Sequence, residues 1–497
     1  MTPNNNSTTE PRPINADTLA EGAGESPPCS RASDPLKTVR AAISTIEPVS
    51  LLELSERYFT LPVLDGEGKP RKQPQSEVIV LVLEHFKRWL DEIGLGARVL
   101  NGLPHLFGGT HWKSIDDQDC AGLLGELTER LGYQVVESRI FTFREKLLKQ
   151  FYSELSGGIE EREPGRVLIN LRNGTLEFVN GNETMREFRK ADALTYQLPF
   201  DYAEDARCPM FEKYLVRVLP EPASRNVLAE YLGWLFLRDL KLEKVLVLFG
   251  DGHNGKSVFF DVVNALLGEQ NVSNLGLSSL SKIENRHQLG LSLLNFGSEI
   301  SDRCDADLFK KLASGEPVEA RRLYKDVFTM RNYARLAFNA NVLPRDTEHT
   351  TGFFRRFLIV PFTETISEAE KDPDLANKII AAELPGVFNW AMFGLRRLRE
   401  ARKFSECHAA NHALATYRKE SDSVAMFLED EGWHSDSDGK VGKDQLYSVY
   451  RGYCQSAGCH PLSKNNFGKR LLRQHQICDS KSGGCRFWHL VHSDQEE

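Results

Sequence analysis

The stretch from Glu243 to Val262, EKVLVLFGDGHNGKSVFFDV, constrains this chain more than any other. A short apolar run, Val245 to Phe249, meets Gly250, and the pattern G-x-x-x-x-G-K-S follows through Gly250, Gly255, Lys256 and Ser257 before an apolar stretch resumes. The order reads strand, loop, helix. Glycine lets successive N–H groups turn inward and approach a ligand closely, and the helix behind adds its positive N-terminal end. The residues Gly250, Asp251, Gly252, His253, Asn254, Gly255, Lys256, Ser257 and Val258 therefore form a candidate cradle for the phosphates of ATP. Lys256 would reach the β- and γ-phosphates, and the Ser257 hydroxyl would join the shell of a Mg2+ ion. An ordinary glycine turn between strand and helix is the plain alternative.

A chain of 497 residues is too long for one core and predicts two to four domains. Its formal charge of -8 gives no whole-molecule attraction to nucleic acid, so any DNA contact needs a local basic surface. Nine scattered cysteines, an odd number, predict no disulfide framework and fit a reducing host cytoplasm. No apolar stretch reaches about 18 residues, so no membrane span is expected, and the polar N-terminus lacks the apolar centre of a secretion signal.

Residues 1–45, poor in large apolar side chains, read as a disordered tail. Residues 46–200 read as a mostly helical accessory region with no assignable chemistry. It contains a helix through Val78, Leu81, Val82, His85, Phe86, Trp89 and Leu90, a second over Ala121 to Leu131, and a hairpin turning at Asn173-Gly174. Asp117-Gln118-Asp119 spells the paired-acid pattern of a metal site, but such acids are also common on solvated turns. Residues 201–242 form a helical connector with Leu228, Tyr231, Leu232, Leu235 and Phe236 at helical spacing.

Beyond the loop, the apolar run Leu291 to Phe296 predicts a strand lying beside the first and ending near Glu299. A carboxylate there can hold the Mg2+ shell or deprotonate the attacking water, with Asp302 in reserve. The segment ARRLYKDVF, Ala320 to Phe328, predicts a hairpin whose tip carries Arg322, Tyr324 and Lys325. Such a tip can track a nucleic-acid backbone and stack a base, or merely be solvated. A third run, Ala334 to Phe338, leads to Asn339 and Asn341, amides able to sense the γ-phosphate, and Arg355 and Arg356 precede a fourth, Leu358 to Phe362. An arginine there has the chemistry of a finger for the phosphoryl-transfer transition state.

In order, GDGHNGKS, SEIS, KKLASGEPVEARRLYKDVF, AFNANVLP and GFFRRFLIVPF resemble the superfamily-three helicase core of the phage and plasmid primase-helicase family, which includes the poxvirus primase-helicase. The resemblance implies an α/β, AAA+-like ATPase over residues 243–365 that assembles as a hexamer, binds ATP between subunits and moves single-stranded DNA through its centre. It implies Lys256 and Ser257 as phosphate-loop ligands, Glu299 as the second acidic motif, Asn341 as sensor, Arg356 as the finger with Arg355 close behind, and Lys325 on the DNA-gripping hairpin. Ser298 stands where many members carry a first acid; larger members fuse a primase domain in front, and no convincing one is read in this sequence, so a separate primase or polymerase is the expected partner for priming.

Residues 366–420 read as a helical lid, and 421–497 as a winged helix that also resembles the family's C-terminal domain. Its helix signals lie at Val424 to Glu429, Gln445 to Tyr453 and Asn465 to Arg473, with Lys464, Lys469, Arg470 and Arg473 available to DNA. Cys454, Cys459, His460, Cys478, Cys485 and His489 invite a zinc reading, but their spacings fit no paired C-x-x-C arrangement. The expected function is an ATP-dependent replicative DNA helicase of a mobile element acting on single-stranded and forked DNA. The rivals are an ATP-switched initiator or loader without processive unwinding, and a small-molecule phosphotransferase that shares only the phosphate loop.

Overall fold

In the computed structural model, which describes residues 34–157, 165–179, 182–298, 300, 305–323, 325–344 and 350–493, the apolar run before the glycine loop is the second strand of a five-stranded sheet. The strands are β1 (Val245–Phe249), β2 (Val272–Ser273), β3 (Leu294–Gly297), β4 (Arg335–Ala340) and β5 (Phe357–Pro361). They lie in the order β5-β1-β4-β3-β2, and every neighbouring pair is parallel. Both faces are covered, which is why the strands read as unbroken apolar runs rather than alternating ones. Along β1 the side chains divide by parity: Leu246 and Leu248 enter one core with the helix Lys256–Leu267, whereas Val245 and Val247 enter the other. The strand β3 is not beside β1 as expected. It pairs with β4, which inserts between them.

Because the sheet is parallel, the segments after β1, β3, β4 and β5 all emerge at one edge. That edge receives the glycine loop, Ser298, Asn341 and Phe362, the first residues beyond those strands. Between β3 and β4 the chain makes a separate antiparallel hairpin, Val318–Arg321 with Val327–Met330. Arg321 pairs with Val327 at its end, so the predicted tip residues Arg322 and Lys325 lie between the two strands.

The cores divide the chain differently from the expected boundaries. An accessory core runs from Val39 to Phe151 and includes the helix Gln75–Glu92. Pro35–Ser44, assigned to the tail by composition, is a helix that buries Val39 and Ile43 there. The accessory region is not simply helical, since it holds the antiparallel sheet Gly96–Leu100, Leu103–Phe107 and Trp112–Ser114. The predicted hairpin, Val167–Leu171 with Gly174–Val179, belongs instead to the core of the five-stranded sheet, together with the helices Pro209–Val218, Pro222–Trp234 and Leu375–Ala401. Residues 167–200 are therefore continuous with the sheet domain, not with the accessory one. A fourth core, around Phe427, Tyr450, Phe467 and Trp488, holds the C-terminal region.

The helices Pro222–Trp234 and Leu375–Ala401 cross at glycines. A Cβ on Gly394 would lie 2.1 Å from the Ala229 carbonyl carbon, and one on Gly233 would lie 2.5 Å from the Leu395 nitrogen. Backbone atoms cannot step aside as a side chain can. Gly394→Val should therefore cost roughly 3 kcal/mol, and a melt followed by circular dichroism should show a midpoint lower by roughly 3–6 °C. An unchanged midpoint would refute this packing.

Among the described residues no helix is long and apolar enough to cross a membrane.

Candidate nucleotide site and basic hairpin

The loop after β1 is held open by two glycines in backbone conformations that exclude a side chain. Gly250 has φ +154°, and a Cβ there would meet the Phe362 carbonyl oxygen at 2.3 Å; Gly255 has φ +88°, and its Cβ would meet Val218 Cγ1 at 2.8 Å. Three bonds brace the loop from outside. Asn254 Nδ2 donates to the Phe362 carbonyl at 3.0 Å, the Ile366 amide donates to His253 O at 2.9 Å, and the Tyr214 hydroxyl donates to Gly255 O at 2.8 Å. Tyr214 is buried on the helix Pro209–Val218, where desolvation pushes its phenol pKa well up and keeps it a neutral donor. No local signal marks this tyrosine, which stands 41 residues before its acceptor.

With the loop fixed from its outer side, its inner donors are unspent. Among the described residues, the amide N–H groups of Asp251, Gly252, His253, Asn254 and Gly255 donate to no backbone or side-chain acceptor. Lys256, 7% exposed, turns its ammonium onto the Gly250 carbonyl, the Asp251 carbonyl at 3.1 Å and Asn341 Oδ1 at 3.0 Å. Burial lowers its pKa, and the nearby Asp251 opposes that shift. On β4, Asn339 Oδ1 is buried and unpartnered among the described residues, two positions before Asn341. Ser257 is exposed on the first helical turn. A row of free N–H groups, a cation held only by carbonyl and amide oxygens, and an exposed hydroxyl suit an anion with an attendant hard cation, so this donor set fits a nucleotide with Mg2+. Glu299, Asp302 and Tyr324 lie outside the described residues.

The two candidate finger arginines differ in exposure. Arg356, expected to reach a neighbouring subunit, is 8% exposed and bound within its own chain. Its guanidinium donates to Ser314 Oγ at 2.8 Å and to the Gly352 carbonyl, and lies 3.4 Å from Glu243. Arg355 is the outward member of the pair, its side chain 58% exposed and, among the described residues, paired with Glu243 at 2.6 Å. The residue pattern RRF places two arginines side by side, but only burial tells which one faces out.

The hairpin tip meets the accessory region. Lys325 Nζ lies 2.5 Å from Asp117 Oδ2, while Arg322 contacts both Asp117 oxygens at 3.4 and 3.5 Å and donates to the Gly102 carbonyl at 3.2 Å. Asp117, the first residue of the helix Asp117–Arg130, is thus an ion-pair acceptor. Asp116, not the paired-acid motif, caps that helix by accepting from the Asp119 amide at 2.7 Å. No group of three or more His, Cys, Asp or Glu able to hold a metal occurs among the described residues.

In the C-terminal region the helices Ser423–Asp430, Lys443–Ser456 and Lys464–Arg473 precede the hairpin Asp479–Ser482 with Cys485–Trp488. Of the four basic residues of interest on the last helix, Arg470 pairs with Asp422 at 3.2 Å and Lys464 with Asp444, leaving Lys469 and Arg473 exposed.

Three family models match parts of the chain: "D5 N terminal like" over residues 84–220, a family of unknown function (DUF5906) over 248–356, and "Poxvirus D5 protein-like" over 419–476. A helicase-named protein of Acanthamoeba polyphaga mimivirus, L207/L206, is 22% identical over a 294-residue alignment that covers 53% of this chain and 30% of that protein. The chain thus matches less than a third of the length of that curated relative. Two apo structures of the NrS-1 C-terminal region, one of them its A form, each align with 12% identity and a TM-score of 0.46, covering 82% of this chain and 98% of theirs.

Proposed function

We propose that this chain, a relative of the phage and viral primase-helicases, is an ATP-driven DNA helicase that unwinds forks during replication of a mobile element within the host cytoplasm. The observation that carries this reading is the convergence of Lys256 and Asn341 on the open, donor-rich loop at one edge of the parallel sheet. The loop N–H groups and Lys256 hold the β- and γ-phosphates, and Ser257 with Glu299 is the pair suited to Mg2+. Bound there, Mg2+ would neutralise charge developing between those phosphates. Asn341 orients the attacking water, Glu299 takes its proton, and cleavage of the terminal phosphoanhydride leaves ADP and phosphate.

Two features support an AAA+-like assembly in a hexameric ring: the parallel five-stranded sheet with the loop at its carboxyl edge, and the exposed Arg355 available to a neighbour's nucleotide. Lys325 and Arg322, with Tyr324, are the candidates for gripping single-stranded DNA. The C-terminal helices and hairpin support a winged helix that presents Lys469 and Arg473 to duplex DNA.

The test is ATP turnover with and without single-stranded DNA, run beside strand displacement on a forked duplex. Turnover should rise with single strands, and the fork should open only with ATP. Stimulated hydrolysis without displacement would favour the ATP-switched initiator, and hydrolysis indifferent to DNA would remove both readings.

A further inference from the structure

The two hairpin cations assigned to DNA are already engaged by a carboxylate from another part of the chain. Asp117 is only 13% exposed at its side chain and accepts from Lys325 at 2.5 Å, from Arg322 at 3.4 Å and from the Tyr152 hydroxyl at 2.6 Å. Arg322 donates in addition to the Tyr152 hydroxyl at 3.3 Å and to the Gly102 carbonyl at 3.2 Å. Asp117 also stands in the first turn of its helix, where a negative charge is favoured. Burial of Asp117 alone would raise its pKa, but the Lys325, Tyr152 and Arg322 contacts outweigh it, so the carboxyl stays ionised. A phosphodiester asks for what this carboxylate has: an ammonium and a guanidinium donating to two oxygens of one anion.

We propose that Asp117 is an internal competitor of nucleic-acid phosphate, a latch that holds the hairpin tip against the accessory domain until a single strand displaces it. This rests on the reading of Lys325 and Arg322 as DNA contacts. A cleft of about 760 Å³ opens beside the latch, lined by Asn101, Gly102, Tyr152, Gly290, Phe328 and Arg331 among others, so the latch residues Gly102 and Tyr152 form part of the wall a strand would approach. Lys325, with its side chain half exposed, is the first cation an incoming phosphate meets, whereas Arg322, at 19%, is freed only when the tip moves.

The latch separates affinity from chemistry. In Asp117→Asn, which keeps the side chain's shape and an acceptor for Tyr152, a labelled oligo-dT should bind roughly tenfold more tightly, since removing a half-desolvated charged partner is worth about that factor. The DNA concentration for half-maximal stimulation of hydrolysis should fall by a similar factor, while turnover at saturating DNA stays unchanged. Asp117→Ser, which removes the charge at this first-turn position and leaves the Asp116 cap in place, should behave alike and guards against a folding defect in the first variant. Lys325→Ala should weaken binding in both backgrounds. If Lys325→Ala weakens binding but both Asp117 variants leave it unchanged or weaker, the latch is overturned while the hairpin reading stands. If Lys325→Ala and Arg322→Ala leave binding unchanged in every background, the hairpin reading falls and takes the latch with it.

Discussion

Lys256→Ala is expected to lower ATP turnover by roughly a hundredfold to a thousandfold, the effect of removing one preorganised charged donor from a phosphoryl-transfer site. The lysine is buried against the Gly250 and Asp251 carbonyls and Asn341 Oδ1, and no carboxylate lies within ion-pair distance among the described residues. Such a cation costs the folded protein something, because its desolvation is offset only by neutral acceptors. Burial depresses its pKa for the same reason. Loss of the ammonium should therefore leave the melting temperature unchanged or slightly higher while hydrolysis collapses. Activity loss without stability loss is the signature of a group positioned for an anion. Steady-state turnover and a thermal melt on the same preparation decide it, and turnover within threefold of the unaltered protein would remove Lys256 from the chemistry.

The parallel strands are legible in the sequence because each is buried on both faces, so β1, β4 and β5 appear as apolar runs within a few residues of their ends. Strand order is not legible, because nothing in a run such as Leu294–Gly297 encodes which neighbour it pairs with, and β2 is only two residues long. The glycine loop is legible because its geometry demands residue types, Gly250 and Gly255 above all. Its bracing is not, since Tyr214, Phe362 and Ile366 come from other elements and are ordinary apolar or aromatic residues in their own segments. Asp117 illustrates the same limit. The sequence shows two acids one residue apart, a pattern equally suited to a metal or to water, and only the fold brings Lys325, over two hundred residues away in the chain, to one of them.

Arg355 and Arg356 should part company under mutation, because one is a surface cation and the other a structural strut. Arg356→Ala leaves Ser314 and the Gly352 carbonyl without their donor inside the fold, which costs about 1–3 kcal/mol and should lower the melting temperature. Arg355→Ala removes an exposed pair with Glu243, worth about 0–1 kcal/mol, and should melt almost unchanged. If Arg355 serves the nucleotide of the next subunit, its loss should nevertheless reduce turnover on the order of a thousandfold, as expected for an arginine that neutralises the transferring phosphoryl group. The defect then lies in a different subunit from the one that Lys256→Ala disables. Mixing the two inactive proteins forms seams in which an intact Lys256 faces an intact Arg355, so turnover should reappear in the mixture in proportion to such seams. Recovery in the mixture would require both a shared site and an oligomer. A mixture that stays as inactive as its components, with Arg355→Ala alone hydrolysing ATP normally, would place the whole site within one chain and leave the exposed arginine without a catalytic partner.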